Sequence, residues 1–423
     1  MKIFRLLLIK LILLLIITLI ACDKNSSIQS NTEQSSLNPE IAPASTATKV
    51  DISLVDERLA DPKDITDRKA VSNPTPTPVT VPMQFENSGP WINPSPFTSK
   101  GQQSGVVLVD FWTYSCVNCI RTLPHLKEWH SKYEDQGLTI IGVHSPEFEF
   151  ENIPENVSIA VEEFGIEYPV VLDNDLKIWK SFSNRYWPAK YLLDKDGIIR
   201  YTHFGEGQYQ ETESAIRMLL TETGVESSEL PKFSIALTSP ESSEIPRSQQ
   251  TMELYLGTDR NYAFNLFQHP YIGNEQYYEN IRSNDWQKEA NFKKPSRREK
   301  DRIYLTGLWL KEKESILHGR NTDDYTDFIS LIFSATEVNV VLGKYKEPYK
   351  VMITLENNPL KQSEAGTDVD FDQSGNSFIS VNDSKMYNII KLKTFDTRDL
   401  KLSSNSIGFS VYSFTFGSDP RKQ

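Results

Sequence analysis

Two of the three cysteines in this chain of 423 residues are spaced so that they could do redox chemistry. Cys116 and Cys119 form the string C-V-N-C, directly after the apolar run V-L-V-D-F-W. Two cysteines at this spacing beside a strand–helix pattern can close and reopen a disulfide, which is typical of thiol–disulfide exchange. A purely structural disulfide explains the pair poorly, because a loop of four residues adds little stability.

The two cysteines should have different roles, because they occupy different places on the helix that the sequence predicts over residues 116–134. Cys116 would stand at the N-terminus of that helix, where free amides and a partial positive charge stabilise a thiolate. Cys119 would lie one turn further on, buried beneath it. We therefore expect Cys116 to attack a substrate disulfide and Cys119 to resolve the mixed disulfide that forms.

A zinc site is the competing interpretation, because His125 and His130 follow the two cysteines. All four residues would lie on or beside one short helix, and the gap before the histidines is too short for a zinc finger. The sequence therefore predicts no metal and no other cofactor. We expect both histidines to be exposed on the helix.

The elements that would position the cysteine pair alternate between strand and helix over residues 81–225. Strands are predicted at 105–112 and 138–143, with a hairpin at 190–193 and 198–203. Helices are predicted at 116–134, 158–164, 176–182 and 211–221. Strands that alternate with helices predict an α/β layered domain.

Residues 226–423 follow a different pattern, in which short strands are separated by turn-type residues. The predicted strands are 251–256, 303–310, 327–334, 338–342, 349–355, 387–393 and 408–416. This spacing is typical of an antiparallel β-sandwich or jelly roll. The string D-V-D-F-D at 368–372 resembles part of a calcium loop. Gln373 and Ile379 stand where such a loop needs a glycine and an acid, so we favour a solvated turn.

The N-terminal residues 1–21 combine a charged start with a long apolar run, which is typical of a secretory signal peptide. The string L-I-A-C that ends at Cys22 resembles the bacterial lipobox, so Cys22 is expected to carry lipid. An uncleaved transmembrane anchor is the alternative, although Lys10 interrupts the apolar run. Either anchor would leave the protein in the cell envelope, facing the oxidising periplasm or extracellular side.

Residues 22–80 are rich in Ser, Thr, Asn, Pro and Ala and show no apolar period, so we predict a disordered tether. Without the three basic residues of segment 1–21, the net charge of −12 falls to −15. Binding to phosphates requires a basic face, so this acidic balance argues against a nucleic-acid partner.

The segment around the cysteines resembles the thioredoxin superfamily. Asp110 falls six residues before the first cysteine, where thioredoxins carry a buried acid beneath the active site. Trp112 and Pro124 also fall on thioredoxin positions. The step from Trp187 to Pro188 precedes the string Y-L-L-D, at the position of the superfamily's cis-proline.

The resemblance implies a role for each of these residues. Asp110 would have a raised pKa and would take the proton that Cys119 must lose before it attacks. The backbone at Pro188 would lie against the sulfurs and pair with an extended substrate segment. Trp187 and Trp112 would contribute to the substrate-binding surface.

Within the superfamily, the chain is most similar to the membrane-anchored, thiol-reducing (TlpA-like) subclass used in cytochrome c biogenesis. The string I-I-G-V-H-S-P-E places Glu147 where that subclass often has an acid near the dithiol. The strings W-T-Y-S-C, Y-W-P-A-K-Y and Y-T-H-F-G-E-G resemble the soluble part of DipZ proteins, and L-Y-L-G-T-D-R fits the module that follows it there. DipZ proteins usually begin with a polytopic electron-transfer domain, so a separate membrane protein is expected to supply the electrons here.

These observations lead to one main hypothesis and two alternatives. The main hypothesis is a lipid-anchored thiol–disulfide oxidoreductase that acts as a reductant of protein disulfides. A cell-envelope binding lipoprotein with a non-catalytic thioredoxin domain is the first alternative, and a thiol peroxidase is the second. The resemblance of the β region to carbohydrate-binding jelly rolls implies a glycan or cell-wall ligand. The α/β pattern looks complete by residue 225, so we expect it to fold alone, with docking onto the β region as the alternative.

Overall fold

A computed structural model describes residue 85 and residues 89–94, 105–233, 249–257, 289–294 and 296–417. The predicted signal peptide, Cys22 and the predicted tether lie outside these residues. Among the described helices, each is too short or too polar to cross a membrane.

The first part of the described chain forms a six-stranded mixed sheet flanked by helices. Its strands follow the spatial order β1-β4-β3-β2-β5-β6, in which β2, β3 and β4 are parallel and β1, β5 and β6 run antiparallel to their neighbours. The strands are β1 (Trp91–Ile92), β2 (Val106–Trp112), β3 (Leu138–His144), β4 (Val170–Leu172), β5 (Ala189–Leu193) and β6 (Ile199–Phe204). The helices are α1 (Val117–Tyr133), α2 (Pro154–Glu163), α3 (Lys177–Ser181) and α4 (Tyr209–Glu222), with 3-10 turns at Glu134–Gln136 and Glu149–Asn152.

Strand β2 lies at the centre of this sheet, and all seven of its residues are buried. Successive side chains of a strand point to opposite faces. Val106, Leu108 and Trp112 accordingly join the core cluster that contains Cys119, whereas Val107 and Val109 join the cluster on the other face. Helices on both faces explain why the sequence of β2 is an almost continuous apolar run.

The second part of the described chain is an eleven-stranded antiparallel sheet. Its strands are β7 (Leu254–Tyr255), β8 (Glu289–Phe292), β9 (Ile303–Lys311), β10 (Ile316–His318), β11 (Phe328–Gly343), β12 (Tyr349–Leu355), β13 (Asn358–Pro359), β14 (Asp370–Phe371), β15 (Ser377–Val381), β16 (Lys385–Ser403) and β17 (Ser410–Gly417). Strand β11 pairs with β9 through its first half and with β17 through its second half, and β10 joins β17 to β9. Side chains from most of these strands form one apolar core cluster.

The predicted fold class, an α/β thioredoxin-like domain followed by an all-β domain, is confirmed. The structure differs from the prediction in the bounds of several strands and helices. The strands predicted at 327–334 and 338–342 are one strand, β11, whose register shifts between Ala335 and Glu337. The short strands β1 and β4 were not predicted, because runs of two and three residues show no period. Helix α2 begins at Pro154, a residue type well suited to a first helical turn, rather than at 158.

The α/β domain (residues 85–233) and the β domain (residues 249–417) are packed against each other. Tyr255 and Val341 of the β domain belong to the same buried cluster as Cys119, and Tyr412 packs against that cluster. The structure therefore shows the two domains docked, and folding of the α/β domain alone stays a prediction.

Candidate redox site

The cysteine pair lies at the start of helix α1, at the carboxyl end of β2. Cys116 is the N-cap of the helix, and the amide of Cys119 donates a hydrogen bond of 3.2 Å to its sulfur. The two residues are joined by a disulfide, with their Cα atoms 5.2 Å apart. Cys116 is half-buried, whereas only 1% of Cys119 is exposed. A substrate sulfur can therefore approach Cys116 more easily than Cys119, which agrees with the predicted roles.

Asp110 lies on β2, on the same face of the strand as Leu108 and Trp112, which belong to the core cluster of Cys119. It is 1% exposed, and burial raises the pKa of its carboxyl to about 7, against the opposing effect of the Lys190 charge. A carboxyl with such a pKa can accept and release a proton near neutral pH, as general acid–base catalysis requires. The role of Asp110 in moving the proton of Cys119 stays a prediction.

Lys190 is a site residue that the sequence analysis missed. It lies opposite Asp110 on β5, is fully buried, and places its Nζ 3.9 Å from Asp110 Oδ1. Burial lowers the pKa of this lysine, and Asp110 partly offsets the effect. A lysine inside the otherwise apolar string A-K-Y-L-L was the available signal, because a lysine in a fully buried strand needs a partner.

The charge of Lys190 should set the pH at which Asp110 takes up a proton. We expect Lys190→Met to move the pH midpoint of disulfide resolution upwards by about one to two units, because a nearby cation lowers the pKa of a carboxyl. Stopped-flow measurement of substrate thiol release across pH provides the midpoint. Lys195→Met, at an exposed lysine in the turn after β5, is the matched control, and equal midpoints in both variants would contradict this role.

Trp187 and Pro188 lie in the loop that leads into β5, and the peptide bond between them is cis, as the resemblance implies. The indole of Trp187 donates a hydrogen bond of 3.0 Å to the carbonyl of Ser145 and packs on Trp179 at 4.2 Å between ring centroids. Trp187 and Cys116 are both half-buried and pack against the same core cluster. Both residues keep part of their surface open to solvent, and a role of Trp187 and Pro188 in substrate binding stays a prediction.

The sequence and fold of this chain are similar to those of several known proteins. The Redoxin family matches residues 85–220, and the Thioredoxin like C-terminal domain matches residues 251–417. Protein DipZ of Mycobacterium bovis is 36% identical over 260 residues, which are 60% of this chain and 34% of DipZ. A solution structure of a thioredoxin-like protein in the oxidised form is 28% identical, with a TM-score of 0.31, and the match covers 34% of this chain and 95% of that one.

Thiol-disulfide oxidoreductase YkuV of Bacillus subtilis is 33% identical over 116 residues, which are 27% of this chain and 78% of YkuV. The chain belongs to the thioredoxin superfamily of thiol–disulfide oxidoreductases. It spans about a third of the length of the DipZ proteins that it matches.

The thioredoxin domain differs from the sequence prediction at Trp112. This side chain is fully buried and packs edge-on against His144 at 5.3 Å, so it has no surface to offer a substrate. The even-numbered residues of β2 point under helix α1, and a side chain at Gly142 would meet the Trp112 ring nitrogen at 3.0 Å. Trp112 therefore supports the site from the core instead of binding substrate.

Glu147 and Glu151 follow β3, and the structure gives them different positions. Glu147 is half-buried, and its carboxylate accepts a hydrogen bond of 2.7 Å from the hydroxyl of Tyr255 in the β domain. Glu151, which the sequence analysis did not select, is fully buried and binds Ser115, the residue before Cys116. The acid that contacts the flank of the dithiol is thus Glu151, and Glu147 lies one contact further away.

Three histidines of the thioredoxin domain are buried or partly buried and contact other side chains of that domain. His125 is buried and stacks on Tyr209 at 3.5 Å, which corrects the expectation that it is exposed, because this face of α1 packs against α4. His130 is partly buried, with its Nε2 3.5 Å from the Glu134 carboxylate. Burial lowers the pKa of His144 to about 3, so it is neutral at physiological pH.

Proposed function

We propose that this protein is an extracytoplasmic thiol–disulfide oxidoreductase that reduces disulfides in proteins through Cys116 and Cys119. One observation carries the proposal. The half-buried Cys116 caps the N-terminus of a helix, its disulfide partner Cys119 is buried, and Asp110, on the strand that leads to the helix, has a carboxyl pKa raised to about 7. Such a site can hold a thiolate, form a mixed disulfide and move the proton that resolution requires.

The proposed reaction begins from the reduced pair. The thiolate of Cys116 attacks one sulfur of the substrate disulfide, so that the substrate S–S bond breaks and the other substrate sulfur leaves as a thiolate. Cys119 gives its proton to the Asp110 carboxylate and attacks the sulfur of Cys116. The mixed disulfide breaks, the second substrate thiolate leaves, and Cys116 and Cys119 are joined. Two electrons have passed to the substrate, and a separate dithiol protein at the membrane must return them.

The second part of the proposal concerns the cellular location of the protein. Segment 1–21 and the L-I-A-C string support a lipid-modified Cys22 that anchors the protein to the membrane, with both domains facing the periplasm or the extracellular side. Mass spectrometry of the membrane-extracted protein should find an acylated N-terminal cysteine, whereas an unmodified Met1 start would contradict the anchor. A role in cytochrome c biogenesis is proposed on the similarity to DipZ.

A glycan or cell-wall ligand for the β domain is supported by an open cleft of about 440 Å³. Its lining includes amide, hydroxyl and aromatic groups from Asn321, Thr322, Tyr325, Asn405 and Ser406, which are groups that bind hydroxyl-rich ligands. Retention of the full-length protein on insoluble cell-wall polysaccharide tests this part, and free passage would contradict it.

Thiol counting tests the redox proposal against the binding-protein and peroxidase alternatives. We expect two additional alkylated cysteines after the protein is reduced, and we expect the reduced protein to become oxidised again while it reduces a model protein disulfide such as insulin. The double variant Cys116→Ser/Cys119→Ser is the control for background reduction. A dithiol that reduces hydrogen peroxide but leaves insulin oxidised would support the peroxidase instead.

A further inference from the structure

The loop of residues 145–152, between β3 and α2, connects the dithiol with the β domain. On the dithiol side, Glu151 Oε1 accepts hydrogen bonds from the hydroxyl of Ser115 at 2.6 Å and from its amide at 3.3 Å. Ser115 directly precedes Cys116, the N-cap of helix α1. The carboxylate of Glu151 therefore fixes the backbone of the residue that directly precedes Cys116.

The second oxygen of the same carboxylate holds the loop itself. Glu151 Oε2 accepts hydrogen bonds from the amide of Glu147 at 2.5 Å and from that of Phe148 at 3.0 Å. Burial raises the pKa of Glu151, and the neighbouring charge of Glu147 raises it further. The two glutamates thus form one electrostatically coupled unit beside the dithiol.

The β domain fixes the other end of this unit through Tyr255. Its hydroxyl donates a hydrogen bond of 2.7 Å to Glu147 Oε1, and the residue is only 8% exposed. Its backbone is anchored as well, because Tyr255 pairs with Ser413 and the next amide, that of Leu256, donates to the carbonyl of Tyr412. This backbone pairing fixes the position from which the Tyr255 hydroxyl binds Glu147.

Aromatic packing at the same contact keeps the loop from sliding along the β domain. The ring of Phe148 lies 6.3 Å from that of Tyr255 and 5.2 Å from that of Tyr412. Phe150 meets Tyr412 edge-on at 5.0 Å. Removing the Tyr255 hydroxyl alone would leave this packing in place, which separates the hydrogen bond from the docking of the two domains.

We propose that Tyr255 of the β domain is a positioning residue for the dithiol, which acts through Glu147, Glu151 and Ser115 on the sulfur of Cys116. The proposal rests on the proposed function, because it concerns the reactivity of that sulfur. The β domain would then contribute a residue to the redox site, and separating the two domains would change the reactivity of the dithiol.

The direction of the effect follows from charge and position. The Tyr255 hydroxyl points the positive end of its dipole at the Glu147 carboxylate, which screens that charge and fixes where it lies. Without that hydrogen bond, the negative charge of the coupled glutamates is less compensated, and Ser115 is held less firmly at the start of the helix. Both changes disfavour a thiolate on Cys116, so a higher pH is needed to form it.

The test compares Tyr255→Phe with wild type in the full-length reduced protein. We expect the pH midpoint of Cys116 alkylation to rise by about 0.5 unit and alkylation at pH 7 to slow about threefold. Tyr345→Phe, which removes a hydroxyl from an exposed tyrosine of the β domain, is the matched control and should leave both values unchanged. A contact that merely stabilises the fold would lower the melting temperature without moving the midpoint.

Glu147→Gln supplies a second, independent measurement. It removes the charge on which Tyr255 acts, so the midpoint should fall below that of wild type, and adding Tyr255→Phe should then change little. Additive shifts in the double variant, or wild-type midpoints in both single variants, would overturn the proposal. A wild-type dithiol that never reduces insulin would instead refute the proposed function, while the alkylation midpoints would still report on Tyr255.

Discussion

Cys119→Ser should accumulate mixed disulfides with substrate proteins, whereas Cys116→Ser should accumulate none. The half-exposed sulfur of Cys116 attacks first, and the buried sulfur of Cys119 is the group that releases the substrate. Turnover of a protein disulfide should fall by about three orders of magnitude or more in both variants, because each removes a reacting atom. Non-reducing gels and mass spectrometry of the trapped species provide the measurement.

The two variants serve as controls for each other, since both lose activity and only one should trap substrate. The double variant Cys116→Ser/Cys119→Ser reports the background of non-specific adducts. Equal trapping by both single variants would contradict the assignment of nucleophile and resolving thiol to the two ends of the first helical turn.

Asp110→Asn should slow disulfide resolution and stabilise the protein above neutral pH. The carboxylate accepts the proton of Cys119, and removing a general base typically costs about a hundredfold or more in rate. The free energy of unfolding should rise because the amide spares the protein from burying a charge. Asp196→Asn, the same change at an exposed position in the turn after β5, is the control and should do neither.

The stability effect has a defined pH dependence. The pKa of Asp110 is about 7 in the folded protein and 3.8 ordinarily, so between these values the folded state keeps a proton that the unfolded chain has released. The free energy of unfolding of the wild type therefore falls as pH rises, by about 1.4 kcal/mol per unit and about 4 kcal/mol in all. The Lys190 charge is coupled to this titration, so we expect Asp110→Asn to be more stable by about 2–4 kcal/mol at pH 8 and equal to wild type at pH 4.

Urea unfolding at the two pH values measures this difference directly. A stabilisation that is the same at pH 4 and pH 8 would show that Asp110 does not titrate as its burial implies. A resolution rate that is unchanged from pH 6 to pH 9 in the variant and in the wild type would make the acid purely structural.

The sequence predicts best the elements whose patterns depend only on residues close together in the chain. The apolar run of β2 and the amphipathic pattern of α1 place Cys116 and Cys119 correctly, because both patterns are local. Asp110 was selected because the resemblance to thioredoxins places an acid six residues before the first cysteine, and the structure shows that it is buried. These signals required no knowledge of which strands pair.

The residues that the sequence analysis missed are brought to the site by long-range pairing. Lys190 faces Asp110 only because β5 pairs with β2 in one register. Glu151 reaches Ser115 across 36 positions of the chain, and Tyr255 reaches Glu147 across 108. Neither spacing follows a local period of a helix or strand. The sequence analysis therefore selected Glu147 as the acid near the dithiol, whereas the structure shows that Glu151 is the one that binds Ser115.

The same limit explains why the sequence did not predict which residues join the α/β domain to the β domain. The α/β pattern is complete by residue 225, and nothing in its periodicity shows that Phe148 and Phe150 pack on Tyr412. Tyr114, two residues before Cys116, also donates a hydrogen bond of 3.3 Å to the carbonyl of Ser384 in the β domain. The isolated domain would expose these aromatic rings, so its stability and exchange rate should both be lower than those of the full-length protein.

The reduction potential of the Cys116–Cys119 couple tests the central claim most directly. The full-length protein is equilibrated in dithiothreitol and glutathione buffers of known potential, and the fraction of alkylated dithiol is counted by mass spectrometry. A thioredoxin-like reductant should give a value between about −200 and −280 mV. A value below about −300 mV would indicate a structural disulfide, and a value near −120 mV would indicate an oxidant, so either result would contradict the account.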